Sequence, residues 1–260
     1  MPARAMWKGR IRLDGFELPV KLYSAATDRA VHFRLLHAPD RVPLEQRMVD
    51  PATNEPVAYQ ETRRGLALEP GTLVVLERAE LDELAPAPTR DIEVLSFLAP
   101  ERVPRRFAAR PYFLGPDGDA PSYFAFAEAL ASERKQCLVR WVMRKTEYVG
   151  AIRETEGYLG LVTLRHAEEL VAIGGLAPPI TRELTEKELT MAEQLVGMFE
   201  GTFDPTQFRD EYRERVAALV EAKAKGKKLA KPRVTHPEPE RSLSAALEAS
   251  LKRARERKVA

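Results

Sequence analysis

The side chains best placed to do chemistry in this chain are cations, and they are unevenly spread. Residues Glu221–Ala260 carry 12 Lys/Arg against 5 Asp/Glu, a net of +7, while Met1–Val220 carry 29 against 34, a net of −5. Within that mildly acidic body, Met1–Val49 is net +4 and Arg134–Arg153 net +5, whereas Glu183–Val220 is net −5. Segregation of this kind points to contact with a polyanion through the basic stretches and away from the acidic one.

Covalent and metal chemistry lack the residues they need. There is no Gly-x-x-x-x-Gly-Lys-Ser/Thr loop, no Gly-x-Gly-x-x-Gly fingerprint, no His-Glu-x-x-His and no Gly-x-Ser-x-Gly elbow. The single cysteine, Cys137, excludes an internal disulfide and reads as a small buried hydrophobe. His32 and His37 stand five apart, which suits metal ligation on neither a helix nor a strand. No enzyme activity, metal or cofactor is expected. No apolar run is long enough to span a bilayer and the first residues lack a signal-peptide core, so a cytoplasmic, membrane-free protein is expected.

The elements that must position these cations change character along the chain. Arg10–Leu13, Leu18–Tyr23, Val31–Leu36, Leu73–Leu76, Cys137–Met143 and Tyr158–Leu164 read as short strands separated by turn residues, the pattern of a barrel or sandwich. Leu73–Leu76 is expected to be buried. Glu80–Leu84 and Ser122–Glu133 read as helices, the latter with Phe124, Ala127, Leu130 and Ala131 on one face. Asp40–Arg64 is polar and weakly patterned, a long excursion. After Gly174–Pro179 the pattern turns helical. Thr185 and Glu188 have capping-box spacing ahead of Leu189, Ala192, Leu195, Val196 and Phe199, with Gly201 as the stop. Asp204-Pro205 is expected to start a second helix, with Phe208, Tyr212, Val216 and Leu219 on its apolar face. Lys223–Lys231 and the prolines after it read as a solvated linker, and a short terminal helix follows with Leu243, Ala246, Leu247, Ser250 and Leu251 on one face.

Several of these segments, taken in order, are specific. Ala5-Met6-Trp7-Lys8-Gly9-Arg10-Ile11, Leu18-Pro19-Val20-Lys21-Leu22-Tyr23-Ser24-Ala25 and His32-Phe33-Arg34-Leu35-Leu36-His37 resemble the opening of bacterial Ku proteins. Arg90-Asp91-Ile92-Glu93 and Arg110-Pro111-Tyr112-Phe113-Leu114 resemble the middle of that family, and Glu186–Leu195 with Phe203-Asp204-Pro205 its helical end; the match runs from about Ala5 to Lys227. The resemblance implies a mixed β+α fold: a Ku-type β-barrel core with a DNA-encircling bridge, then a helical C-terminal arm and a basic tail. The corresponding divisions are 1–173 for the core, with its bridge excursion near 28–64, 181–222 for the arm and 223–260 for the basic linker and terminal helix. It also implies a homodimeric ring on double-stranded DNA ends, associated with the nucleoid, that recruits an ATP-dependent bacterial end-joining ligase. One departure stands out. Where some family members have a Cys-x-x-Cys pair, this chain reads Met48-Val49-Asp50-Pro51-Ala52-Thr53-Asn54-Glu55, so no zinc is expected.

A protein that must hold any broken end contacts phosphates rather than bases, and the guanidinium fork matches phosphate oxygens. The candidate contacts are Lys8, Arg10, Arg12, Lys21, Arg34, Arg41, Arg47, Arg63 and Arg64, with Arg140, Arg144 and Lys145 as a second group. Arg102, Arg105, Arg106 and Arg110 form a further cluster, ranked behind them. Trp7 and Trp141 are expected in the core, since a ring around stacked duplex has little use for stacking platforms. Leu189, Leu195, Phe199, Phe208, Tyr212 and Val216 are the candidate dimer-arm contacts. In the tail, Lys227, Lys228, Leu243, Leu247, Leu251, Arg253 and Arg255 are candidates for docking ligase or adding DNA affinity. The competing readings are a nucleic-acid-binding barrel without end preference, a metal-dependent nuclease, and a scaffold acting through the late helices.

Overall fold

The computed structural model of the chain describes residues 4–69, 71–175, 185–226 and 246–253. Nine strands occur among them: β1 (Trp7–Leu13), β2 (Phe16–Ser24), β3 (Arg64–Glu69), β4 (Thr72–Leu76), β5 (Asp91–Leu98), β6 (Ala108–Pro116), β7 (Gln136–Met143), β8 (Thr146–Thr155) and β9 (Tyr158–Leu164). Seven of them close a barrel in the order β1-β2-β6-β9-β8-β7-β5, with β1 and β5 parallel and every other pair antiparallel. Two-residue loops set the register of three hairpins. Asp14-Gly15, Arg144-Lys145 and Glu156-Gly157 all take positive φ, the geometry whose twist matches that of the flanking strands.

Strand alternation fills the barrel. Ile11, Leu18, Val20, Leu22, Ile92, Leu114, Val139, Ile152 and Leu159 are fully buried, and Cys137 joins them, its thiol pushed up to about 12 by desolvation. Trp141 is buried and stacked on Tyr148, as the core expectation required; Trp7 is partly buried against the same cluster. Helix α1 spans Arg78–Glu83, and α2 (Ala120–Ser132), N-capped by Asp119, lays Tyr123, Ala127 and Leu130 against the barrel. Phe124, expected on that face, is exposed instead, and Tyr123 takes its place. The Tyr123 hydroxyl donates to the Leu114 carbonyl and accepts from the Leu159 amide at 2.8 Å, tying α2 to β6 and β9. At Gly150 a Cβ would lie 2.7 Å from Trp141 Cζ3 and 2.8 Å from the Val162 carbonyl. Neither neighbour is a flexible side-chain end, so Gly150→Ala will lower the urea midpoint without changing m, at a cost of about 1–3 kcal/mol.

Where the strands differ from expectation, the reasons are local. β3, β5, β6 and β8 do not stand out in the sequence: Asp91–Leu98 and Thr146–Thr155 mix polar residues into the apolar alternation, and prolines interrupt Ala108–Pro116. Val31–Leu36 is not a strand; only an isolated bridge joins Leu36 to Pro43. β4 forms a separate two-stranded sheet with β3, and Leu73 and Val75 are exposed rather than buried.

The chain divides into two units, Met1–Ala172 and Ile173–Ala260. In the second, α3 (Glu186–Met198) starts with the expected capping box, Thr185 Oγ1 accepting from the Glu188 amide at 3.3 Å and Glu188 accepting from the Thr185 amide at 3.0 Å. It stops at Phe199, short of Gly201. Asp204 caps only a 3-10 turn, Pro205–Gln207; α4 (Glu211–Ala224) begins after a fresh cap at Asp210, so Phe208 precedes the helix instead of lying on its stripe. A last helix covers 246–253.

Candidate nucleic-acid interface

Cations on the outer faces of β1 and β2 are tied to carboxylates. Asp117 lies between Lys8 and Lys21, at 3.1 and 2.7 Å. Arg10 Nε donates to Asp91 at 2.6 Å and Arg12 Nη1 to the other Asp91 oxygen at 3.2 Å, while Glu17 also reaches Arg10. Hydrogen bonding to Arg10 holds the Asp91 carboxyl below its usual range, and Lys21 does the same to Asp117. Arg140 pairs with Glu93 at 2.8 Å, Lys145 with Asp82 at 2.6 Å, Arg63 with Glu77 at 3.3 Å and Arg47 with Glu45 at 3.4 Å. Eight of the twelve candidate phosphate contacts therefore carry a carboxylate partner, and a negative charge at that distance offsets much of a cation's pull on phosphate. Arg34, Arg41, Arg64 and Arg144 are exposed and, among the described residues, have no carboxylate within salt-bridge distance. The pairing was invisible in linear spacing, because Lys8 and Asp117 are 109 positions apart and Arg10 and Asp91 are 81 apart.

The excursion leaves the barrel at Ala25, whose amide donates to the Pro111 carbonyl at 3.3 Å, and runs to β3 with almost every residue exposed. Local hydrogen bonds shape it. Two similar turns occur: the Arg41 amide donates to the His37 carbonyl and the Asn54 amide to the Asp50 carbonyl, each at 2.8 Å, and both Arg41 and Asn54 have φ of 59°. Asp40 accepts from the Val42 amide and shares a 2.8 Å hydrogen bond with the His37 ring, which together hold its carboxyl below the usual range. His32 lies 3.7 Å from Asp28. Among the described residues, no group of three or more His, Cys, Asp or Glu is placed to hold a metal. Phe33, Leu35, Leu44, Met48 and Tyr59 are exposed along this excursion, with no core of their own.

In the second unit, Phe199, Phe203, Phe208 and Tyr212 are 64, 80, 72 and 60% exposed; Leu189 is exposed too, and Leu195 and Val216 are half-buried. In the helix over 246–253, Leu251 is buried, Leu247 half-buried and Arg253 exposed. Glu248 accepts from Lys187 of α3 at 3.0 Å. Lys227, Lys228, Leu243 and Arg255 lie outside the described residues. No helix among the described residues is long and apolar enough to cross a membrane.

Comparison with known proteins agrees with this geometry. Residues 12–191 match the family model of the Ku70/Ku80 beta-barrel domain. The chain is 32% identical over 255 residues to "Non-homologous end joining protein Ku 2" of Geotalea uraniireducens, covering 97% of this chain and 99% of that one. It is 34% identical over 258 residues to "Non-homologous end joining protein Ku" of an Anaeromyxobacter species, with 98% and 87% covered, and 30% identical over 253 residues to the protein of that name from Solibacter usitatus, with 97% and 94% covered. With a closed seven-stranded barrel and a match that runs nearly end to end, the chain belongs to the Ku family.

Proposed function

We propose that two copies of this chain close a ring that threads onto double-stranded DNA ends without reading sequence, and that the ring brings an ATP-dependent ligase to those ends in non-homologous end joining. The observation that carries this reading is the exposed excursion between Ala25 and Arg64. It is long, exposed and shaped by its own turns, and it bears Arg29, Arg34 and Arg41 with no carboxylate within salt-bridge distance among the described residues. An excursion without a core of its own gains stability only by lying against something else. Its cations suit a phosphate backbone, and its apolar residues suit a second copy. The relatives named for non-homologous end joining support the same reading. The protein's work is holding rather than bond-making, carried out at the nucleoid. The dimer contacts are Leu189, Leu195, Phe199, Phe208, Tyr212 and Val216. The tail, with Leu247, Leu251 and Arg253, serves the ligase or adds DNA affinity.

A closed ring cannot enter a circle. In a binding titration, covalently closed circular duplex will bind only at the level of non-specific contact, with Kd of about 10⁻⁴–10⁻⁶ M at physiological salt, while linear duplex of equal length binds far more tightly. Equal affinities would instead assign the chain to sequence-independent binding without end preference; no binding to either would leave a scaffold.

A further inference from the structure

The connection from β5 to β6 has a backbone fixed by hydrogen bonds from outside it. It makes two 3-10 turns, Pro100–Arg102 and Arg105–Phe107. Gln136 Nε2 donates to the Pro100 carbonyl at 3.4 Å. At the other end, Arg165 Nη1 donates to the carbonyls of Arg106 and Ala108, and the Arg165 amide donates to the Phe107 carbonyl at 2.8 Å. Arg110 follows on β6, its backbone fixed by Thr163 Oγ1, which accepts from the Arg110 amide at 2.9 Å. The Arg106 guanidinium lies 5.6 Å from the Phe107 ring centroid and that of Arg110 5.6 Å from the Tyr112 centroid. Stacking of this kind orients a guanidinium while leaving its N–H edge available.

Arg102, Arg105, Arg106, Arg110 and Arg165 are all exposed, and among the described residues none has a carboxylate within salt-bridge distance. Glu101 is the acidic residue nearest them in the connection, on the wall of the open groove of about 1000 Å³ that Arg105 also lines. The contrast with β1 and β2 is clear: there Lys8, Arg10, Arg12 and Lys21 share Asp117, Asp91 and Glu17, and here no described acid pairs with any of the five. The ledge also stands at the foot of the excursion, since Ala25 is hydrogen-bonded to Pro111, next to Arg110.

We propose that this ledge, rather than the cations of β1 and β2, is where the barrel grips the sugar–phosphate backbone of duplex DNA. The inference rests on the end-binding reading and says which surface of the barrel does the holding. Arg165 spends Nη1 on the frame, and Arg102, Arg105, Arg106 and Arg110 carry planar forks suited to repeated phosphates.

The test uses the full chain carrying Arg105→Gln, Arg106→Gln and Arg110→Gln. The slope of log K against log salt on linear duplex will become shallower by about 0.9 for each phosphate that is no longer neutralised, so by about 2–3 for each chain and by about 5 for a ring of two. Replacing the same residues with Lys will keep the wild-type slope. Lys8→Gln with Lys21→Gln, whose cations share Asp117, will change it by less than about 1. If the triple variant fails to fold, Arg105→Gln with Arg106→Gln leaves β6 untouched and reads the same quantity. An unchanged slope overturns the proposal; an unchanged slope in a variant that loses the wild type's capture of an acidic peptide would make the ledge a protein-docking surface. A wild-type protein that binds closed circles as tightly as linear DNA defeats the ring reading instead, whatever the slope does.

Discussion

Protein loaded on a linear duplex that is then sealed into a circle by ligation will stay on that circle through a salt wash that strips it from open linear DNA. On the ring reading two kinds of attachment hold the protein, and salt separates them. Phosphate contacts weaken as counterions return, and a protein making 6–10 of them loses about 10³–10⁵ in affinity between 50 and 200 mM salt. Near 1 M the Debye length is only about 3 Å, so the ring's cations hold an open duplex no longer and it slides off the end. A topological link has no such dependence. The proposed interface of Phe199, Phe208 and Tyr212 is apolar at its centre, and salt does not loosen apolar burial. Retention is read by sedimentation or gel filtration of the washed circle, with a restriction cut as the release step. Loss from the circle at the same salt as from the linear form would mean that no closed ring surrounds the DNA.

The barrel was legible in part, and the division has a physical basis. β1, β2, β7 and β9 show clean alternation because one face meets the core and the other meets water. Helix caps are local, so Thr185-Glu188 was readable from four residues. β6 hid behind Pro111 and Pro116, and a bulge between Ala108 and Pro111 breaks its pairing with β9. Phe208 and Asp204 misled because the Asp-Pro cap signal is satisfied just as well by a single 3-10 turn. The interface was harder still. Composition shows which segments are basic, but whether a cation is available depends on where the acids fold to. Asp91 and Asp117 come from strand β5 and the β6–α2 connection to neutralise β1 and β2, while Arg105 and Arg106, ranked behind those strands from sequence, meet no acid among the described residues. Both places carry the same amino-acid types; their carboxylate partners, which are a property of the fold, are what distinguish them.

Replacing Phe199, Phe208 and Tyr212 with Ser will leave a folded monomer that neither retains linear DNA nor becomes trapped on ligated circles. Each of these side chains is more than half exposed in its own chain, although Phe203 and Phe208 stack with ring centroids 5.5 Å apart. Large aromatics exposed next to one another mark surfaces that bury elsewhere. Where such residues anchor an interface, truncating one costs about 2 kcal/mol or more, so even two anchors among the three weaken the dimer by about a thousandfold, enough to dissociate it at micromolar concentration. Folding is a separate matter, because the barrel closes its core within β1 to β9 and owes nothing to these side chains. The thermal transition of the barrel will therefore persist while sedimentation reports half the mass. A dimer that survives the substitutions would move the contact to the exposed leucines and valines of β3 and β4. A monomer that still discriminates ends from closed circles would show that end recognition does not need a ring.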